Sequence, residues 1–443
     1  MKKILIPFDF LTSLIIIFSG VLFSLPLIIT GRIFKLFRLR KFYKRHRFIW
    51  LPSASYQTGL NKGGRWGVLP YHTTFDGYFE KNFIIHLIGD KYLKVQVDKD
   101  VYVIDYPIFL KKIMSAGIFK YSILSMNVVL LNLYMSVFIF KNKIDLIGSG
   151  SPYFIGVNTA IFSFITGCPY YWGPGCNYDL DIELNGLPKY IPSKKVAMLC
   201  IKIATKFAFK LNSIRQDLKD YLVKKGTPAD RITVIYNAVD LELYKKKPDY
   251  SKLEEFKNNF KIVYAGRINR VNVIHHIIEC ANLTYKKIPN AKFLILGGGL
   301  SGDDKKYFEE CRELIKKYNI EKYVYMPGIF ISNFEVANYK LCCDINLITM
   351  GGLSLIESAA SGKPVIVYDY DWHSELIENR KTGLLVKYND FQQMADCIFE
   401  LYSNLELGKI LAENAYNRIL ERHTFEKEKE NLIRFYESIY AEI

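Results

Sequence analysis

Six short apolar runs, FKIVYAGR, AKFLILGGG, YVYMPG, CDINLIT, KPVIVYD and TGLLV, each followed by a helical stretch, dominate the second half of the chain. A run this short and continuously apolar reads as a strand buried on both faces, and regular alternation with helices makes the sheet parallel. The first half shows the same habit. RFIWLPSA (47–54) reads as a strand with the glycine-rich exit TGLNKGG (58–64), and YVIDYP, IDLIGSG and PYYWGPG read as further strand ends. Residues 213–244 then give a helix, a strand and a turn before the charged stretch KKKPDYSKLEEFKNN. The expected map is a membrane anchor and basic segment over 1–47, a first domain over 48–244, a linker over 245–260 and a second domain over 261–424. A helix over 425–443 can cross back to the first domain. The fold class is α/β, with two Rossmann-like doubly wound domains facing a cleft, where ligands sit beyond the strand ends.

Residues 11–30, LTSLIIIFSGVLFSLPLIIT, carry no charge and match the length of helix that crosses a ~30 Å hydrocarbon layer. The basic run that follows, from Arg32 to Arg47, keeps the bulk of the chain on the cytoplasmic side by the positive-inside rule. A spanning helix is therefore expected. Gly20 and Pro26 leave open a helix that enters and returns. A second uncharged run, Tyr121 to Phe140, contains Ser122, Ser125, Asn127, Asn132 and Ser136 and leads straight into a strand; it reads as a covered helix of the first domain rather than a second span.

The chain of 443 residues is half hydrophobic and carries a formal charge of +16, so its surface favours anionic lipids or phosphorylated ligands. Nucleic acid is not the expected partner: there is no zinc-finger spacing, no aromatic RNA-binding signature and no basic recognition helix. The eight cysteines lack ligand spacing and read as reduced thiols of a cytosolic protein, and no metal-binding cluster is visible.

The stretch TMGGLSLIESAASGKPVIV, from Thr349 to Val367, passes from a glycine turn to a short helix and a buried strand. Two readings stand at this level. The turn is a plain connection in an α/β core, or its bare N–H groups at the positive end of a helix dipole form an anion site that Glu357 overlooks.

In order and spacing, VIYNAVD (Asn237, Asp240), YAGRI (Gly266, Arg267), LILGGG, MPGIF, GGLSLIESAASGKPVIV and TGLLV resemble the retaining glycosyltransferases of the large GT4-like family, glycosyl transferases group 1, which have the two-domain GT-B architecture. The likeness is specific from about Lys141 onward, topological from Phe48 to Phe140, and absent from residues 1–47. It implies that Gly351, Gly352, Leu353 and Ser354 face the donor phosphates and sugar, that Glu357 grips the nucleotide ribose, and that Arg267, the catalytic residue, holds the diphosphate. The chain departs from the pattern in three places. Thr349 stands where the first of two acids is usual, Asn272 where a lysine is usual, with Arg270 as a substitute cation, and Gly148 and Gly150 where a histidine is usual.

The resemblance implies a hexosyl-transferring glycosyltransferase that uses a nucleotide-sugar with retention, and the apolar run 11–30 with the basic run after it makes the expected enzyme membrane-associated, with a lipid-linked or membrane-surface acceptor. No cofactor or metal is expected, other glycan-assembly enzymes are candidate partners, and the N-terminal charge pattern sets the expected location at the inner or cytoplasmic membrane with the catalytic domains facing the cytoplasm. Candidate cleft residues from the first domain are Gly63, Gly64, His72, Asp76 and Glu80, whose plainer reading is turn and capping residues. The alternative function is a catalytically silent scaffold or regulatory subunit of a glycan-assembly complex.

Overall fold

A computed structural model describes residues 11–33 (apart from 13, 14, 17, 21 and 23), 46–52, 75, 77–89, 92–107, 120–188, 191–298, 302–329 and 332–443. The chain divides into two compact units, Met1–Ile235 with Lys429–Ile443, and Tyr236–Glu428.

The first unit is built on strands β1 (Arg47–Leu51), β2 (Lys81–Gly89), β3 (Leu93–Asp98), β4 (Val101–Pro107), β5 (Leu146–Ser149), β6 (Tyr170–Trp172), β7 (Lys210–Ser213) and β8 (Ile232–Val234). They lie in the order β3-β4-β2-β1-β5-β6-β7-β8, parallel except for β3, which pairs antiparallel with β4 at the edge. Helices α1 (Lys120–Asn142), α2 (Phe154–Thr166), α3 (Tyr178–Asn185), α4 (Lys194–Phe207) and α5 (Gln216–Lys224) connect them.

Strand side chains alternate between the two faces. Ile49, Leu51, Ile147, Tyr170 and Trp172 meet Leu131, Met135 and Ile139 of α1, Phe162 of α2, and Ala197, Ile201 and Ala204 of α4. On the other face, Phe48, Trp50, Leu146 and Tyr171 pack against Leu432, Phe435, Tyr436 and Ile439 from the end of the chain.

The described residues of 11–33 are helical and lie along this first unit. Gly20, Ser24 and Gly31 are buried. A Cβ at Gly20 would come 2.6 Å from Val129 of α1, and one at Gly31 would collide with the Ile165 carbonyl of α2. Thr12 and Ser122 share a hydrogen bond of 2.5 Å. Among the described residues one helix, Ser122–Asn142, is long and apolar enough to cross a membrane; its Leu131, Met135, Ser136 and Ile139 are wholly enclosed by the core. Residues 34–45, most of the basic run, lie outside the described residues.

The second unit continues with α6 (Leu241–Tyr244), β9 (Phe260–Ala265), α7 (Ile274–Thr284), β10 (Ala291–Leu296), α8 (Asp303–Lys317), β11 (Val324–Tyr325), α9 (Asn333–Cys342), β12 (Ile345–Ile348), α10 (Leu353–Ala360), β13 (Val365–Asp369), α11 (His373–Leu376), β14 (Leu384–Lys387), α12 (Phe391–Ser403) and α13 (Leu405–Arg422). Its six strands are all parallel, in the doubly wound order β11-β10-β9-β12-β13-β14. The stretch 245–260 differs from the linker expected of it. Tyr250–Phe256 forms a 3-10 turn whose Leu253 and Phe256 are buried against Val263, Leu294 and Cys343, so its polar composition reflects one solvated side of a packed segment. A last helix, α14 (Phe425–Glu442), contributes Lys429 onward to the first unit.

Candidate active site at the carboxyl edge of the second sheet

In a doubly wound sheet the strand order reverses at one point, and loops leaving the two strands there diverge and open a crevice. In the second unit those strands are β9 and β12. Arg267, Arg270 and Asn272 follow β9, and Thr349, Gly351, Gly352, Ser354 and Glu357 follow β12. The two stretches singled out in the sequence therefore meet.

The loop after β9 is tied down by its own polar groups. The Tyr264 hydroxyl donates to the Arg267 carbonyl at 3.1 Å, and the Asn272 side-chain amide donates to the same oxygen at 2.6 Å. Burial pushes the Tyr264 hydroxyl above the ordinary phenol range, which keeps it a donor. The backbone of Arg267 is thus pinned from inside while its guanidinium is exposed, with no hydrogen bond or ion pair to it among the described residues.

The loop after β12 is a glycine turn because side chains would not fit its first position: a Cβ at Gly351 would lie 2.7 Å from Ile348 and 3.0 Å from Leu355. At Gly352 a Cβ would meet nothing within 4 Å. Gly352 therefore faces open space at the start of α10, a helix with no side-chain cap at its N-terminus. The Gly351 N–H donates to His373 Nε2 at 3.0 Å, and the Gly351 carbonyl accepts from Trp372 Nε1 at 2.9 Å. His373 Nδ1 lies 2.8 Å from the Tyr368 carbonyl, which can only accept, so the neutral ring carries its proton on Nδ1 and turns Nε2 toward the turn as acceptor. The Gly351 amide is thereby occupied, the Leu355 N–H donates to the Gly352 carbonyl at 3.2 Å, and the open donors of this edge among the described residues include the N–H groups of Leu353 and Ser354. Ser354 Oγ reaches back to the Ala265 carbonyl at 2.7 Å and fastens that turn to the end of β9.

Glu357 is paired from inside the unit. Lys340, on α9 and fully buried, directs Nζ to Glu357 Oε2 at 3.0 Å, to the Ser354 carbonyl at 3.0 Å and to Ser354 Oγ at 3.2 Å. A buried ammonium with three acceptors is adequately solvated by them, and it fixes the carboxylate and the first turn of α10 as one piece. Glu357 keeps 18% of its side-chain surface exposed, enough to present one edge to a ligand.

Several expected roles change on inspection. Thr349 is buried, and its hydroxyl donates to the Asn272 carbonyl at 2.6 Å; it locks the two loops together and presents no side-chain atom to a ligand. Two of the three departures from the family pattern thus meet only through the Asn272 backbone: Thr349 bonds its carbonyl, while the Asn272 side chain turns to the Arg267 carbonyl. Arg270 pairs with Glu310 at the surface and lies over the Tyr307 ring at 5.0 Å. Glu80 does not lie at a carboxyl edge. It stands just before β2 and forms an ion pair with Arg47, the first residue of β1, at 2.8 Å, closing the amino ends of two neighbouring strands. Gly63, Gly64, His72 and Asp76 lie outside the described residues.

Sequence reasoning missed Lys340, Trp372 and His373. The one available signal was a lysine on the apolar side of α9, where Ala337 and Leu341 share its burial. It also missed why Gly148 replaces a histidine. Gly148 pairs in register with Trp50 and with Tyr171 on its two sides, and a Cβ there would lie 2.5 Å from the indole and 2.7 Å from the phenol ring. Among the described residues no group of three or more His, Cys, Asp or Glu side chains is placed to hold a metal ion.

Comparison with known proteins agrees with this geometry. Residues 245–418 match the family described as Glycosyl transferases group 1. A poly(ribitol-phosphate) alpha-N-acetylglucosaminyltransferase of Staphylococcus aureus is 28% identical over 220 residues, covering 48% of this chain and 43% of the relative. A glycosyltransferase of Methanocaldococcus jannaschii is 24% identical over 59% of this chain and 65% of its own length, so the chain spans less than two thirds of either relative. The capsular polysaccharide biosynthesis glycosyltransferase CapM of Staphylococcus aureus is 26% identical over 70% of this chain and 81% of the relative. The crystal structure of Anabaena HepE in complex with UDP and glucose superposes with a TM-score of 0.68 at 19% identity, over 89% of this chain and all of that one. The match of residues 245–418 and the likeness to the Anabaena structure identify the second unit as similar to the glycosyl transferases group 1 family and give the chain the α/β fold of the GT-B glycosyltransferases.

Proposed function

We propose that the chain is a membrane-associated glycosyltransferase that moves a sugar from a nucleotide-sugar to a lipid-linked or membrane-surface glycan acceptor with retention of configuration, in cell-surface polymer or glycoconjugate synthesis. The observation that carries this reading is the exposed Arg267 guanidinium on a pinned loop that Thr349 and Ser354 tie to the edge where α10 begins. When the bond between the sugar anomeric carbon and the donor phosphate breaks, its electron pair stays with the phosphate oxygen. Negative charge therefore grows on the nucleoside diphosphate. A fixed guanidinium with uncapped amides stabilises that charge more than the ground state and lowers the barrier. Glu357, aimed by Lys340, offers an acceptor for a vicinal diol such as a ribose. The UDP named with the Anabaena structure and the cell-surface polymers named with the staphylococcal relatives support a nucleotide donor and a surface glycan product. The apolar helix within 11–33 and the charge of +16 support a cytoplasm-facing site at the membrane.

The uncharged Thr349 and Asn272, at positions where the family pattern has an acid and a lysine, favour a second reading, a silent scaffold. A panel of nucleotide-sugars with the purified full chain, read by mass spectrometry for released nucleoside diphosphate and glycosylated acceptor, separates the two. Turnover of at least one donor, with the donor's anomeric configuration kept in the product, is expected. Donor binding without turnover across the panel would leave the scaffold.

A further inference from the structure

The first unit wears an apolar outer layer that its own fold does not cover. On the helix within 11–33, Leu11, Ile15, Phe18, Leu22, Ile29 and Ile33 are between 48% and 66% exposed and recur every three, four or seven residues, opposite the buried Gly20, Ser24 and Gly31. A helix that buries its small residues on the protein and turns its large apolar ones outward is inverted relative to a helix facing water. The layer continues onto the helices beneath: Met126, Leu130 and Val137 of α1, Phe164 of α2, and Leu199 and Phe207 of α4 are all about half exposed. α1, α2 and α4 cover one face of one sheet, so these side chains point away from it together.

Charge identifies what covers the layer. α1, α2, α4 and residues 10–33 contain no Asp or Glu. Lys195, Lys202 and Lys206 of α4 are exposed and fall on the same helical side as Leu199. Arg32 lies over the Phe164 ring at 5.2 Å, and beside it a cavity of about 630 Å³ is lined by Arg32, Phe164, Phe207, Arg231 and one acid, Glu442, which pairs with Lys210 at 2.6 Å. Cations interleaved with apolar side chains, on helices without an acid of their own and with Glu442 at the cavity already paired to Lys210, match the surface of a bilayer containing anionic lipid, where acyl chains take the apolar groups and headgroup phosphates take the ammonium and guanidinium groups.

We infer that this layer is an in-plane docking face for an anionic membrane surface, with the helix within 11–33 lying along the bilayer between the first unit and the lipid rather than crossing it. A helix packed lengthwise on α1 and α2 keeps both its ends on the same side of the membrane as those helices. The spanning orientation expected from the charge pattern would require the contacts of Gly20 with Val129, Gly31 with Ile165 and Thr12 with Ser122 to break.

The docking face stands apart from the transfer reaction, since donor turnover is read on its own. The test uses the full chain. Flotation with vesicles of phosphatidylglycerol and phosphatidylcholine should exceed flotation with phosphatidylcholine alone, and Lys195→Gln, Lys202→Gln and Lys206→Gln together should weaken it by more than about tenfold. Leu199→Ser with Phe207→Ser, both at exposed positions, should weaken binding to both vesicles while melting stays unchanged. An epitope tag fused before Met1 should resist external protease in intact spheroplasts and be digested after lysis. A tag digested from outside would show a spanning helix and overturn the in-plane face. Equal flotation on both vesicles, unchanged binding of the lysine variant, or self-association through these residues without vesicle binding would overturn the lipid assignment.

Discussion

Two central strands of this molecule carry a glycine near the carboxyl end, one inside the strand and one in the turn after it, and the glycines are there for opposite reasons. At Gly148 in β5 a side chain is excluded because Trp50 and Tyr171 from the neighbouring strands already fill the place. At Gly352 after β12 there is nothing within 4 Å for a side chain to meet, and the backbone is left open. The first glycine closes an edge and the second opens one. A glycine at a strand end therefore says that a side chain is absent; what stands in its place decides whether the edge can bind.

The largest expected effect breaks the closed edge. Gly148→His, which restores the residue type usual there, forces an imidazole into the Trp50 and Tyr171 rings and should cost more than about 3 kcal/mol, read as loss of cooperative melting. A variant that melts within a few degrees of wild type would show that the edge is not filled.

Next is the support behind the open edge. Lys340→Met leaves the Glu357 carboxylate without its cation, and about 2–3 kcal/mol of stability should be lost, less than for a fully enclosed pair because Glu357 reaches solvent. Lys340→Met combined with Glu357→Leu should recover part of the loss, and full additivity of the two changes in thermal denaturation would deny the coupling.

The third effect sharpens the contrast between the units. Burial, with His275 beside it, pushes His276 down to about 4, so the folded second unit holds the ring neutral while the unfolded chain protonates near 6.5. Stability from this group is complete above about pH 6.5 and is lost as pH falls toward 4. Between pH 7 and pH 5 the second unit should lose about 1–2 kcal/mol. His276→Leu should flatten that slope, and an unchanged slope in pH-dependent melting would remove His276 as its source.

The smallest effect concerns the open edge itself: Gly352→Ala should shift stability by less than about 1 kcal/mol, because the added methyl meets no atom. Its donor KM should nonetheless rise if the phosphates approach the backbone there. A large loss of stability would mean that the edge is filled after all.

The sequence carried the second sheet almost whole, because its strands are apolar on both faces and its glycine turns fall at the strand ends. It carried the first sheet less well. It read β4 in YVIDYP, but β2 and the edge strand β3 escaped it; LKVQVD of β3 is mostly exposed and alternates too weakly to mark a buried strand. At the site, Arg267, Gly352 and Glu357 were legible as residue types at spaced positions. The inward turn of Thr349, the Glu310 partner of Arg270 and the Lys340 behind Glu357 were not, because each depends on a side chain from a distant element.

The central claim is that Arg267 is an exposed cation held in place to meet a leaving diphosphate. Steady-state kinetics of Arg267→Ala on the donor that the wild-type chain turns over, with thermal melting measured on the same sample, tests it most directly. One charge-assisted contact is worth about 1.5–3 kcal/mol, so kcat/KM should fall by roughly ten- to over a hundredfold while melting stays within about 2 °C, because an exposed guanidinium contributes little packing. Unchanged kcat/KM in a variant that melts like wild type would contradict the assignment of this edge as the active site.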